Sequence, residues 1–204
     1  MDKITHSLVN SFVSQFELER LDPATQFEHF SNFCVASKLY RGSFELDTVH
    51  SGSGGDSSID GVCIVVNGRL ITEEEELKDV VENTGHLDAD ITFIQSKTSS
   101  SFDGAQIGSF IHGVKDFLSD HPNMVQNQKI KKVKSIWEAI ISMSSYMVNR
   151  RPNCKLHYIC TGKNVGWATN NNENSANNAS ALSSKKDEMN RNIAHPTGLL
   201  LSLL

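Results

Sequence analysis

Apolar residues recur at every third or fourth position from Ile4 to Leu21, at Ile4, Leu8, Val9, Phe12, Val13 and Phe16, and this spacing predicts an amphipathic first helix. Asp22-Pro23 restarts the chain, with aspartate as N-cap and proline at the first helical position. Phe27, Phe30, Phe33, Cys34 and Leu39 then give a second helix its apolar stripe before Gly42. Phe44 to Val49 alternates as a half-buried strand. The Gly/Ser run from Ser51 to Ser58 reads as a turn into a continuous apolar strand, Ile59 to Val66. The two strands are expected to pair as a hairpin, and Asn67-Gly68 marks the next turn.

Thr72 with Glu75 three residues on forms a capping box and predicts a helix over 72–83, closed by Gly85. The run Ile91 to Lys97 is a second strand with Gln95 and Lys97 on one face. Ile107, Phe110, Ile111, Val114, Phe117 and Leu118 keep helical spacing up to His121-Pro122. Ile130, Val133, Ile136, Trp137, Ile140, Ile141 and Met147 predict a long helix from Gln128 to Arg151, stopped by Pro152. Leu156 to Thr161 reads as a last strand. Beyond Gly162 the period disappears into an Asn-rich segment expected to be a loosely held linker, and Gly198 to Leu204 is too short to span a membrane.

Strands alternating with helices make this an α/β chain, with a central mixed sheet flanked by helices. Three parts are expected: an N-terminal helix over 1–21, a main domain over 22–162 and an Asn-rich tail over 163–204. With 204 residues, of which 38% are hydrophobic and 21% charged, the chain can bury a substantial core. A mean hydropathy of -0.31 and the lack of any apolar run of bilayer length point away from the membrane; a hydrophobic leader is also missing, so a cytoplasmic location is expected. The net charge of -5 offers no global attraction for nucleic acid, which would need a local basic patch. Lys129, Lys131, Lys132 and Lys134 are the one dense basic cluster and the candidates for phosphate contacts, although a solvated helix face accounts for them equally well. Glu73, Glu74 and Glu75 are better explained by the helix dipole than by a metal. Cys34, Cys63, Cys154 and Cys160 form no CxxC pair and read as buried reduced thiols.

The candidate chemistry lies between Gly52 and Lys97. Asp60 stands at the mouth of a buried strand, and pairing of the two strands would bring it to Gln95 and Lys97. A carboxylate, an oxygen ligand and an ammonium at one sheet edge are the parts of metal-assisted phosphodiester hydrolysis. Glu28, on the second helix, either faces this edge or is solvated.

Phe27-Glu28, Asp56, Ile59-Asp60-Gly61 and Gln95-Ser96-Lys97 together resemble the PD-(D/E)XK nuclease superfamily in its Mrr-like variant with Gln as the second motif residue. Within it they are most similar to the N-terminal region of abortive-infection phage-resistance (AIPR) proteins, over about residues 20 to 162. The resemblance implies a restriction-endonuclease-like core and a magnesium (or manganese) ion held by Asp60, Gln95 and Glu28. It also implies Lys97 as the residue that orients water and stabilises phosphorane charge, and DNA, ahead of RNA, as substrate. Two departures are Ile59 in place of proline and the insertion from Arg69 to Asp88 between the motif strands. Members of that family are longer, so a truncated N-terminal copy is expected. A catalytically silent nucleic-acid-binding or protein-interaction module is the alternative, and a homodimer built on the long helix is a third reading.

Overall fold

The computed structural model describes residues 1–52, 54–55, 57–147 and 149–161, together with the backbone of Gly198–Leu203. Asp56 and the Asn-rich segment therefore lie outside the described residues. Helix α1 spans Lys3–Gln15 and α2 spans Pro23–Leu39; α3 is a single turn, Leu46–Val49. Strands β1 (Gly61–Val66) and β2 (Arg69–Leu70) flank the Asn67-Gly68 turn, and α4 (Glu75–Thr84) leads to β3 (Ala89–Lys97). Helices α5 (Gly104–Leu118) and α6 (Gln128–Ser142), then a 3-10 turn over Ser144–Tyr146, precede β4 (Asn153–Cys160) and β5 (Gly198–Leu203).

The sheet is mixed, in the order β2-β1-β3-β4-β5. β1 runs antiparallel to β3 with Gly61 opposite Ile94, whereas β4 runs parallel to β3 with Tyr158 opposite Gln95. The parallel pair requires a crossover, which α5 and α6 supply. All six residues of β1 are buried, the continuous apolar pattern of a strand covered on both faces. Val62, Ile64, Val66, Ile91, Phe93 and Leu156 belong to the core that includes α4, α5 and α6 side chains. Their alternates Cys63, Val65 and Ile94 pack with Val35 and Ala36 of α2 and Val49 of α3. The molecule thus has three layers, with the sheet in the middle. Helix α1 joins α2 through an aromatic cluster in which Phe12 meets Phe30 and Phe33 at ring separations of 5.5 and 5.3 Å.

Several sequence expectations are met in detail. The Asp22 carboxylate caps α2 by accepting from the Ala24 and Thr25 amides, with Pro23 behind it. Gly85 closes α4 in the left-handed region at φ 68°. Others are corrected. The strand expected over Phe44 to Val49 is the turn α3, and its pairing with β1 shrinks to one bridge between His50 and Gly61. Val49 is buried against α2, and this packing overrides the two-residue alternation. The capping carboxylate before α4 is Glu76, not Glu75: it accepts from the Thr72 and Glu73 amides, and the helix starts later, at Glu75. The first helix stops at Gln15, short of Leu21. The long helix stops at Ser142, where the chain turns and buries Met147 in the core while the Leu87 amide donates to the Tyr146 carbonyl.

Cys63 and Cys154 are buried, and desolvation pushes the Cys63 thiol up to about 12 and raises Cys154 as well. A thiol-reactive probe at pH 8 is therefore expected to modify at most Cys34 and Cys160 in the folded chain and all four cysteines in denaturant. Rapid labelling of Cys63 or Cys154, read by mass spectrometry of peptides, would contradict this packing.

Candidate active site

Asp60 is the last residue before β1, and its amide donates to the Ile94 carbonyl, extending the β1–β3 ladder by one step. Side-chain alternation then aims Asp60, Gln95 and Lys97 at the same side of the sheet. The Asp60 side chain is 6% exposed and that of Gln95 2%. One carboxylate oxygen, Oδ2, accepts from Gln95 Nε2 at 2.9 Å, from the Ser96 amide at 2.7 Å and from Ser96 Oγ at 3.3 Å; Lys97 Nζ stands 3.9 Å away. Lys97 is about one-third exposed, so the ammonium sits where the buried site meets solvent. The three residues expected to converge do so.

The loop that delivers Asp60 is held from three directions. Asn32, buried on α2, donates from Nδ2 to the Asp60 carbonyl at 2.9 Å. Ser51 donates its amide to the same carbonyl and its hydroxyl to the Ile59 carbonyl. Asn127 caps α6 by accepting from the Ile130 amide, and its Nδ2 group donates to the Ser51 and Gly54 carbonyls at 2.9 and 3.1 Å. Helix α5 approaches so closely at Gly113 that a Cβ there would lie 1.8 Å from the Ser57 carbonyl oxygen. None of these supports carries a motif, and the hydrogen bonds of Asn32 and Asn127 to this loop span 28 to 76 residues of sequence, out of reach of any local pattern.

Glu28 lies in the other helix layer. Its carboxylate pairs with His50 Nε2 at 3.3 Å, and the His50 ring stacks on His29 at 4.2 Å. It is partly buried, which corrects the solvated reading. Desolvation, then the charge of His50, holds the His29 imidazole below its usual range. Tyr158, opposite Gln95 on β4, donates to Gln106 Oε1 at 3.1 Å, and burial, followed by electrostatic interaction with Cys160, Asp103 and Asp60, pushes its phenol up to about 12. At physiological pH it is therefore a neutral donor behind the site.

The basic cluster is divided. Lys134 is buried, donates to the Phe117 and Ser119 carbonyls at the C-terminal end of α5 and lies over the Phe117 ring. Such carbonyls attract cations, so Lys134 serves the fold and leaves the open face. Lys132 pairs with Glu73 and Lys129 with Asp47, while Lys131 is exposed.

Gln95 Oε1 is a buried acceptor without a hydrogen-bond partner, beside a buried carboxylate. An unsatisfied buried acceptor costs about 1–3 kcal/mol, and with the amide turned so that Oε1 instead of Nε2 faces Asp60, a cation between the two would offset it. An oxygen donor set of carboxylate and amide suits a hard ion such as magnesium or manganese. Among the described residues no helix is long and apolar enough to cross a membrane. Comparison of the chain with protein-family models, curated proteins and solved structures finds no match, so its reading rests on this geometry.

Proposed function

We propose that this chain is a metal-dependent nuclease domain of the PD-(D/E)XK type, hydrolysing phosphodiester bonds of DNA (or RNA), in a setting of anti-phage defence suggested by the motif. The observation that carries the reading is the convergence of Asp60, Gln95 and Lys97 where the neighbouring strands β1 and β3 meet, with Gln95 Nε2 and Lys97 Nζ 2.9 and 3.9 Å from a single Asp60 carboxylate oxygen. The order of α2, β1, β3, the helical crossover and β4 is consistent with a restriction-endonuclease-like core. In that comparison the strand expected ahead of Asp60 is reduced to the His50–Gly61 bridge.

Asp60 and the amide oxygen of Gln95 would hold magnesium or manganese, which supplies a water of lowered pKa and neutralises phosphate charge. To present its oxygen, Gln95 turns its amide over, exchanging Nε2 for the unpartnered Oε1. The Ser96 amide donates to the carboxylate of Asp60 and fixes its direction. Lys97, beside it and open to solvent, orients the attacking water and stabilises charge developing on the phosphorus oxygens. Asn32 and Ser51 hold the Asp60 main chain and act as positioning residues.

The test is cleavage of supercoiled plasmid and single-stranded RNA, with and without magnesium or manganese, by the chain and by Asp60→Ala. Gln95→Glu gives a second readout. It replaces an amide donor by a second carboxylate beside Asp60, so like-charge repulsion should lower the melting temperature without metal, and added magnesium should restore it at roughly tenfold lower concentration than the parent requires. Insensitivity of this variant to magnesium would remove Gln95 from the metal site.

One observation favours the catalytically silent module: Glu28 is engaged with His50, which leaves Asp60 as the carboxylate that meets Gln95 and Lys97 among the described residues. On that reading nucleic acid is bound, through Lys97 and Lys131, without being cut.

A further inference from the structure

We propose that His29, Asp47 and His50 form a second metal site, separate from Asp60, that takes a divalent transition ion of the zinc type. One nitrogen from each imidazole and one carboxylate oxygen of Asp47 lie within 4.8 Å of one another. Ligands about 2.0–2.2 Å from a zinc ion in tetrahedral geometry stand roughly 3.3–3.6 Å apart, so closure needs movements on the order of 1 Å. Asp47 has that freedom, since its side chain is 80% exposed on the single turn α3.

Two further observations point to a ligand. His29 is 6% exposed, yet its Nδ1 has no hydrogen-bond partner, so one of the three candidate ligand residues carries an uncompensated buried polar atom. Glu28 stands on Nε2 of His50, the arrangement in which a carboxylate fixes the ring of a metal-bound histidine. Lys129 Nζ, 3.5 Å from Asp47 Oδ1, would give way to the ion; with its own side chain well exposed, it is free to turn into solvent. Asp47, His50, Lys129 and Lys132 line a cleft of about 320 Å³, which gives an ion a route from solvent. Two imidazoles with one carboxylate favour zinc, cobalt or nickel over magnesium, whereas the oxygen donors at Asp60 favour magnesium. The two sites are thus distinguished by donor chemistry. Bound metal would clip α2 to α3 and to the segment entering β1 at the His50–Gly61 bridge.

The experiment is titration of the untagged full chain with Co²⁺, followed by visible absorption, and with Zn²⁺ by calorimetry in excess magnesium. One equivalent is expected to bind, with absorption bands of nitrogen- and oxygen-ligated cobalt. Asp47→Asn, a surface change that leaves the core intact, and His50→Gln should each weaken binding by at least about tenfold. Asp60→Asn should bind zinc as the parent does, which separates this site from the nuclease reading. Absence of stoichiometric binding, equal affinity in Asp47→Asn and His50→Gln, or loss of zinc in Asp60→Asn would each overturn the assignment.

Discussion

Asp60→Ala is expected to reduce metal-dependent cleavage to background, and Lys97→Ala to lower it by about a hundredfold or more. The two effects differ in kind. Asp60 offers a buried carboxylate on which the Gln95 amide, Ser96 amide and Lys97 ammonium converge, so its removal takes away the anionic ligand of the proposed metal and leaves those donors without their acceptor. Each stranded buried donor costs about 1–3 kcal/mol, and a loss of activity in Asp60→Ala could then reflect unfolding. Asp60→Asn separates the two explanations, because it preserves the shape and one acceptor oxygen while deleting the charge. Inactive Asp60→Asn with a melting temperature near that of the parent would assign the loss to chemistry. Lys97 is partly exposed, so its removal should leave stability almost unchanged. Cleavage at close to the parental rate by either Asp60→Asn or Lys97→Ala would sink the nuclease assignment. No cleavage by the parent with either metal would favour the silent module.

The largest expected effect away from the chemistry is at Gly113. In Gly113→Ala the new methyl would lie 1.8 Å from the Ser57 carbonyl oxygen, more than 1 Å inside any contact real Cβ atoms show. Neither side can yield cheaply. The glycine is in the middle of α5, whose Phe110, Val114 and Phe117 are locked in the core. Ser57 belongs to the turn held by Asn127 and Ser51, with Ser57 and Ser58 already at positive φ. Overpacking of this kind costs about 1–3 kcal/mol, and backbone on the far side puts Gly113→Ala at the upper end, about 3 kcal/mol. The substitution should also lower activity, because the displaced turn carries Asp60. Denaturant unfolding and cleavage assays on the same variant test both; parental stability would mean that α5 and the turn are not packed as described.

The candidate residues Asp60, Gln95 and Lys97 were legible in the sequence because a strand has a fixed two-residue period. A polar pair two apart at the end of an apolar run must share a side, and an aspartate at the mouth of a second run must meet it if the runs pair. The caps at Asp22 and Gly85 were legible for a similar reason, since the partner of a cap lies within one helical turn. The boundaries of the first and long helices were not. Their apolar residues continue past Gln15 and Ser142, and a periodic pattern alone does not say where the backbone leaves the helix to bury Met147 elsewhere.

What the sequence determined by itself is therefore local and periodic: an α/β chain, two motif strands and the direction of their polar side chains. The tertiary structure alone decided that Phe44 to Val49 yields its strand to a turn packed on α2, and that Glu28 pairs with His50. It also decided that Lys134 is spent on α5 carbonyls, and that Asn32, Asn127 and Gly113 hold the loop of Asp60. Each of those outcomes depends on groups brought together from distant parts of the chain, where burial and hydrogen-bond satisfaction outweigh the weak local preferences that a sequence pattern records.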